Sequence, residues 1–214
     1  MRATKAFHLF IATFLPFWLP ACFAAVAEPA YAGNSNSPPV RFEVRHEAGP
    51  GLSATDRAYV TAGTNTYGFQ MPTGFRLEPS TEEKVRLVSA DYNCLLVWRN
   101  LGHVLPESSD LDPAQCRKLL LQRQPDAKIT EEFTLGALGR RGPAFDVRWN
   151  GSGGMPRRER VVFIAAQAGI MEFSMVSSLD KFEAASSDFD LLRLSFRASD
   201  AKGKLEMPVL SDKL

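Results

Sequence analysis

Histidine and cysteine, the residues most used for metal binding and nucleophilic catalysis, are scarce here, with three of each in 214 residues. Neither C-x₂₋₄-C nor H-x₃₋₅-H occurs, so the spacing of a zinc site is missing. His46, His103, Cys94 and Cys116 form only a nominal ligand set, and no metal or other cofactor is expected. The phosphate-binding G-x-x-x-x-G-K-[ST], the nucleophile elbow G-x-S-x-G and the peptidase motif H-E-x-x-H are absent too. Gly151-Ser152-Gly153-Gly154 comes nearest to a phosphate loop. It lacks the following lysine and sits between two expected strands, so it reads as a hairpin loop with no helix amino end to receive an anion.

An excess of charge is also missing. The chain carries 25 Lys+Arg against 24 Asp+Glu. A cut before Glu28 would remove Arg2 and Lys5 and leave 23 against 24, a net charge of −1. Such a balance gives no long-range attraction to nucleic acid or anionic lipid. Arg140, Arg141, Arg157, Arg158 and Arg160 do not make a basic cluster on this reading. On a hairpin the first pair would lie at the open end and the rest near the loop, on the order of 25 Å away. All five are expected to be solvated. No internal repeat and no second linker is present.

What the chain does have is a basic, then apolar, then small-residue amino end. Arg2 and Lys5 are followed by no charge until Glu28, and Phe7, Leu9, Phe10, Ile11, Phe14, Leu15, Phe17, Trp18 and Leu19 fill the interval. This is the anatomy of an export signal, expected over residues 1–27. Ala25-Val26-Ala27 and Ala30-Tyr31-Ala32 are both A-x-A cleavage sites, the second extending the leader to 32. Leu19-Pro20-Ala21-Cys22 is similar to a lipobox, with a leader of 1–21 and Cys22 as a candidate lipidation site, although proline departs from that pattern. Uncleaved, the run could span a bilayer, which needs about 20 residues. Residues 28–39, rich in Ala, Gly, Asn, Ser and Pro, read as a flexible linker.

Residues 40–199 are long enough for one domain with its own core, and 200–214 read as a tail. In an oxidising compartment Cys94 and Cys116 are a candidate disulfide. The alternative is two buried thiols. Val40–His46 alternates like a half-buried strand. Further strands are expected up to Met71, over 84–90, 93–99, 129–138, 144–150, 161–166 and 169–177. Leu95-Leu96-Val97-Trp98, apolar on both faces, should be central. Asp112-Pro113-Ala114-Gln115 starts one helix, with Cys116, Leu119 and Leu120 on one face. Asp180-Lys181-Phe182-Glu183 caps a second, whose Phe182, Ala185, Phe189, Leu192 and Phe196 should pack on the sheet. The fold class is α+β, a mostly antiparallel sheet flanked by helices.

Tyr67-Gly68-Phe69-Gln70-Met71-Pro72-Thr73-Gly74-Phe75 resembles the opening motif of PsbP-like domains. Arg160-Val161-Val162-Phe163-Ile164, Gly169-Ile170-Met171-Glu172-Phe173-Ser174 and Leu194-Ser195-Phe196-Arg197 are similar to their carboxyl half. That family includes the extrinsic PsbP subunit of photosystem II and exported bacterial relatives, some lipid-anchored. The resemblance implies an α/β/α sandwich over residues 40–199 and a binding or accessory role without catalysis. None of the family's partner-contacting residues has a matching motif here.

Other chemistry is weakly supported. His103 with Ser108, Ser109, Asp110 and Asp112 holds the atoms of a hydrolytic triad but crowds one expected loop, where a triad needs separate rigid supports. Adjacent carboxylates in Glu82-Glu83 and Glu131-Glu132 would point to opposite strand faces, and Asp188-x-Asp190 reads as solvated surface. Asn150-Gly151-Ser152 is a glycosylation sequon, relevant only in a eukaryotic secretory pathway. The leading expectation is an exported, non-catalytic binding or accessory module of the cell envelope. It would have a protein partner, no nucleic acid, and membrane contact only through a signal anchor or a lipidated Cys22. A small apolar ligand-binding protein, using Phe69, Phe75, Trp98, Phe145, Trp149, Phe163 and Phe173, is the alternative. A hydrolase using His46 or His103 is the second.

Overall fold

A computed structural model describes residues 40–47, 55–62, 65–78, 84–102, 111–166 and 169–199. The leader, linker and tail, together with Cys22, His103, Ser108, Ser109, Asp110 and the Glu82-Glu83 pair, lie outside the described residues. In chain order the elements are β1 (Arg41–Glu47), β2 (Thr55–Ala62), β3 (Asn65–Gln70), β4 (Phe75–Glu78), β5 (Lys84–Ser89) and β6 (Cys94–Asn100). Then come α1 (Pro113–Arg123), β7 (Lys128–Ala137), β8 (Arg140–Asn150), β9 (Pro156–Ala166), β10 (Gly169–Ser178), α2 (Phe182–Ser195) and β11 (Arg197–Ser199). None of the described helices is long and apolar enough to cross a membrane.

The strands form two sheets rather than the single one the pattern suggested. The larger runs β4-β5-β6-β10-β9-β8-β7 and the smaller β1-β2-β3-β11. Every pairing in both is antiparallel. The α+β, mostly antiparallel class holds. Strand β2 went unread in the sequence because Thr55, Asp56 and Arg57 interrupt its apolar alternation, yet Ala58, Val60 and Ala62 are buried. Strand β1 is the outer strand of its sheet and pairs only with β2. Its expected half-burial fails beyond Phe42, where the core ends, and Val44 is 50% exposed. The Leu95–Trp98 run is central, with β5 on one side and β10 on the other.

Alternate residues of the large sheet enter different cores. On one face Leu96, Trp98, Val162, Ile164, Met171, Phe173 and Met175 meet α2 and the small sheet. Phe182, Ala185, Phe189, Leu192 and Phe196 of the α2 segment are buried there, the spacing of one helical stripe. On the other face Phe145, Val147, Val161, Phe163 and Ile170 meet Cys116 and Leu120 of α1. Asp112 caps α1 as expected, accepting from the Ala114 amide at 3.0 Å, with Pro113 at the first helical position. Asp180 does not cap α2. The helix starts from Lys181 with no side-chain cap, because the Asp180 carboxylate is taken up by Ser178.

Candidate functional site: two arginine clamps, a cleft and a rim

Three carboxylates are buried among the described residues: Asp146, Glu159 and Glu172. Asp146 on β8 lies on the α2 face. Arg160 forks onto it from β9, with Nε to Oδ1 at 2.7 Å and Nη2 to Oδ2 at 2.9 Å, and Arg158 reaches Oδ2 at 2.7 Å. The register brings them together, since Asp146 faces Arg160 across the β8–β9 ladder. Both guanidiniums also lie over the Phe182 ring, at 3.9 Å and 5.1 Å from its centre. Solvation was the expectation for these two arginines, and it fails. A carboxylate without water needs opposite charge and hydrogen bonds, and two planar forks supply both.

The second clamp is on the α1 face. Glu159 accepts from Arg123 of α1 at 2.7 Å. The same arginine approaches Glu172 at 3.6 Å, and Arg99 of β6 lies 3.2 Å from it. Glu172 stands directly between Arg99 and Phe163 in the ladders. Ser174 is 1% exposed on that face and its hydroxyl makes no hydrogen bond, so no base is in place to activate it. These clamped carboxylates neutralise arginines.

Among the described residues, the others singled out in the sequence do not assemble into a reactive centre. His46 Nδ1 and Asp56 Oδ1 are 2.9 Å apart, both largely exposed on the outer hairpin of the small sheet. Among the described residues no group of three or more His, Cys, Asp or Glu is arranged to hold a metal. Glu131 and Glu132 do diverge, Glu131 opposite Asp146 and Glu132 opposite Phe145. Cys94 and Cys116 are free and buried. They sit in different cores, with the large sheet between them. Burial pushes each thiol up to about 12, and this is the buried-thiol arrangement.

In the aromatic interior Phe196 sits among four other rings. Its ring contacts those of Tyr67, Phe69, Trp98 and Phe173 at centroid distances of 4.8–5.9 Å. An open cleft of about 370 Å³ lies where α1 starts against the β7–β8 hairpin. Leu111, Pro113, Phe133, Pro143 and Phe145 give it apolar walls, and Arg141 and Glu132 are its charged members. Glu132 is held by Arg117 at 2.6 Å. At Gly142, which lines the cleft, the backbone passes so close to β9 that a Cβ would come 1.8 Å from the Phe163 carbonyl oxygen. Past this point β8 no longer pairs with β9, whose ladder to β8 begins at Ala144 and Val162.

At the other end of the large sheet three turns carry exposed apolar side chains: Tyr92 at 46%, Met155 at 55% and Leu179 at 43%. The sequence reading passed over all three. Their only signal was an apolar residue inside a turn, and single exposed apolar residues are common. What brings them together is the pairing register.

No protein-family model and no curated protein matches the sequence. Among solved structures the chain is similar to cyanobacterial PsbP from Synechocystis sp. PCC 6803, with TM-score 0.47 and 14% identity over 61% of this chain and 85% of that one. It is also similar to LpqN, involved in cell envelope biogenesis in Mycobacterium tuberculosis, with TM-score 0.43 and 13% identity over 75% and 91%. A mutant of the protein Mog1 follows at TM-score 0.39 and 15% identity, over 59% and 80%. With TM-scores below 0.5 these likenesses assign no activity to the chain.

Proposed function

We propose that this chain is an exported, non-catalytic accessory module of the cell envelope that binds a protein partner through the cleft at the start of α1. In this reading residues 1–27 are removed as a leader and 28–39 link the domain of residues 40–199, which ends in a tail. The PsbP-like motifs over Tyr67–Phe75 and Arg160–Arg197 agree with such a role. One contrast among the charged residues carries the proposal. The three buried carboxylates are all locked by arginines, whereas Arg141 stands at the cleft with no ion pair among the described residues. A free guanidinium beside Leu111, Pro143 and Phe145 suits a partner side chain with an apolar body and a carboxylate nearby.

The test is cross-linking in cells from a photoreactive residue at Thr134, which lines the cleft. One protein adduct is expected, and Arg141→Glu should abolish it. Native mass spectrometry checks the alternative, because a bound small molecule lost on the same substitution would make the cleft a ligand site. A bare chain without adduct would remove both readings.

A further inference from the structure

The apolar turns at the opposite end of the large sheet form one continuous rim. Ser177 faces Cys94 across the β10–β6 ladder, and Ser178 faces Arg157 across β10–β9. Leu179, one step beyond, therefore falls beside the Tyr92-Asn93 turn on one side and Met155-Pro156 on the other. With neighbouring strands about 4.8 Å apart, Tyr92, Leu179 and Met155 make a row roughly 10 Å long. Five large apolar side chains are well exposed among the described residues, and three of them are in this row.

Tyr92 is held there against a backbone cost. Its φ is 59°, in the left-handed region that residues with a Cβ rarely adopt. Leu138 has the same kind of backbone, at φ 54°, but its side chain is buried in the core. Tyr92 gains no such burial, and its ring stands at the surface with the Arg76 guanidinium 4.4 Å from its centre. Asp91 fixes the turn by accepting from Ser89 at 2.6 Å and from the Asn93 amide at 3.1 Å. A strained, locked turn that presents an aromatic ring to the outside points to function.

Lys128, Arg148, Arg157 and Lys181 lie at the same end. Lys128 faces Arg148 and Trp149 faces Arg157 in the ladders, and Lys181 ends the Leu179 turn. None has an ion pair among the described residues. The acids nearby are Asp91, Asp126, Asp180, Glu183 and Asp188, of which Glu183 is paired with Arg158 at 3.0 Å. Asp91 is bonded within its own turn, and Asp180 to Ser178.

We propose that this rim is a membrane-contacting edge. Tyr92, Leu179 and Met155 enter the headgroup layer of a bilayer, and the four cations meet its anionic phosphates. A stable protein interface buries about 800 Å² per partner from 20–30 residues, more than three turn tips offer. Shallow insertion needs only a few apolar side chains, and tyrosine suits that depth. The near-neutral chain gains no long-range steering, so the contact is short-ranged. Some 25 Å of β8 separates the rim from the cleft, which leaves the cleft free for a partner when the rim is on a membrane.

Hydrogen exchange of the full chain, followed peptide by peptide, tests this. Vesicles of phosphatidylcholine are compared with and without about one-third phosphatidylglycerol. Severalfold slower exchange is expected in residues 90–93, 151–155 and 178–181 with anionic vesicles, while the cleft-lining peptides stay unchanged. Adsorption of the apolar amino end alone would leave these three turns unprotected, and that outcome overturns the proposal. The triple variant Tyr92→Ser/Met155→Ser/Leu179→Ser should lose the protection while keeping the parent unfolding midpoint. Arg148→Glu/Arg157→Glu should weaken vesicle affinity by roughly fivefold per charge. Protection that survives both variants, or that arises with a protein fraction and not with vesicles, also overturns it. Arg141→Glu leaves the rim intact, so the two proposals fail separately.

Discussion

The two faces of the large sheet are built on different principles. Among the described residues the α2 face carries twenty-four buried residues in one cluster, with Phe196 at the centre of an aromatic group. The α1 face carries seven among the described residues, and charge lies beside them: Glu159 and Glu172 held by Arg123 and Arg99. Both faces carry an arginine clamp, but the α2 face adds to its Asp146 clamp a far larger apolar area, while the α1 face leans more on ion pairs, whose cost of desolvation offsets much of their attraction. The α2 face therefore sets the stability of the domain, and the α1 face can open first.

The largest effect should come from Phe196→Ala, which removes a ring that four aromatic neighbours contact. A loss of about 3–5 kcal/mol is expected in urea unfolding. Less than half of that would mean that the aromatic group does not dominate the α2 face. Asp146→Ala comes next, at about 2–4 kcal/mol, because it leaves Arg158 and Arg160 without their shared carboxylate. Glu172→Gln on the α1 face should cost less, about 1–3 kcal/mol, since the neutral amide keeps the shape of the side chain. A reversal of these last two would invert the comparison.

Each face also contains one thiol, which makes the contrast measurable without substitution. Both thiols are neutral at pH 8 and buried, so neither should be alkylated in the folded protein, and reduction should change no mass. In urea below the unfolding transition Cys116 should react several times faster than Cys94, because its core is smaller. Equal rates would show that the two faces open together.

The smallest effect is acid sensitivity at the Tyr92 turn. Hydrogen bonds from Ser89 and Asn93 hold Asp91 at about 2, below the usual 3.8. A carboxyl lowered on folding contributes stability above its unfolded value and loses it as pH falls through the folded one. The turn should therefore loosen between pH 4 and about 2. Asp91→Asn should remove that pH dependence, read from the exchange of the Tyr92 and Asn93 amides.

The parts of this fold that were legible in the sequence are those settled by neighbours in the chain. Asp112 before Pro113 started α1, the Phe182–Phe196 stripe identified the buried face of α2, and the two-sided apolarity of Leu95–Trp98 marked a central strand. The splitting of the strands into two sheets was hidden, because pairing partners leave no local trace. The Asp146 clamp was hidden for the same reason. Asp146 and Arg160 are 14 residues apart and meet only in the β8–β9 register. Gly142 gave no warning of its close backbone approach to β9, since its neighbour there is the Phe163 carbonyl.

The amino-acid sequence by itself determined where α1 starts, which side chains of α2 and of the central strand β6 face inward, and that charge is balanced along the chain. Those properties rest on periods of two and 3.6 residues and on contacts a few positions apart. Only the tertiary structure decided which carboxylates are clamped, which thiol lies on which face, and that Tyr92, Leu179 and Met155 share a rim. These depend on strand register, where a one-residue slip would turn every side chain to the other face.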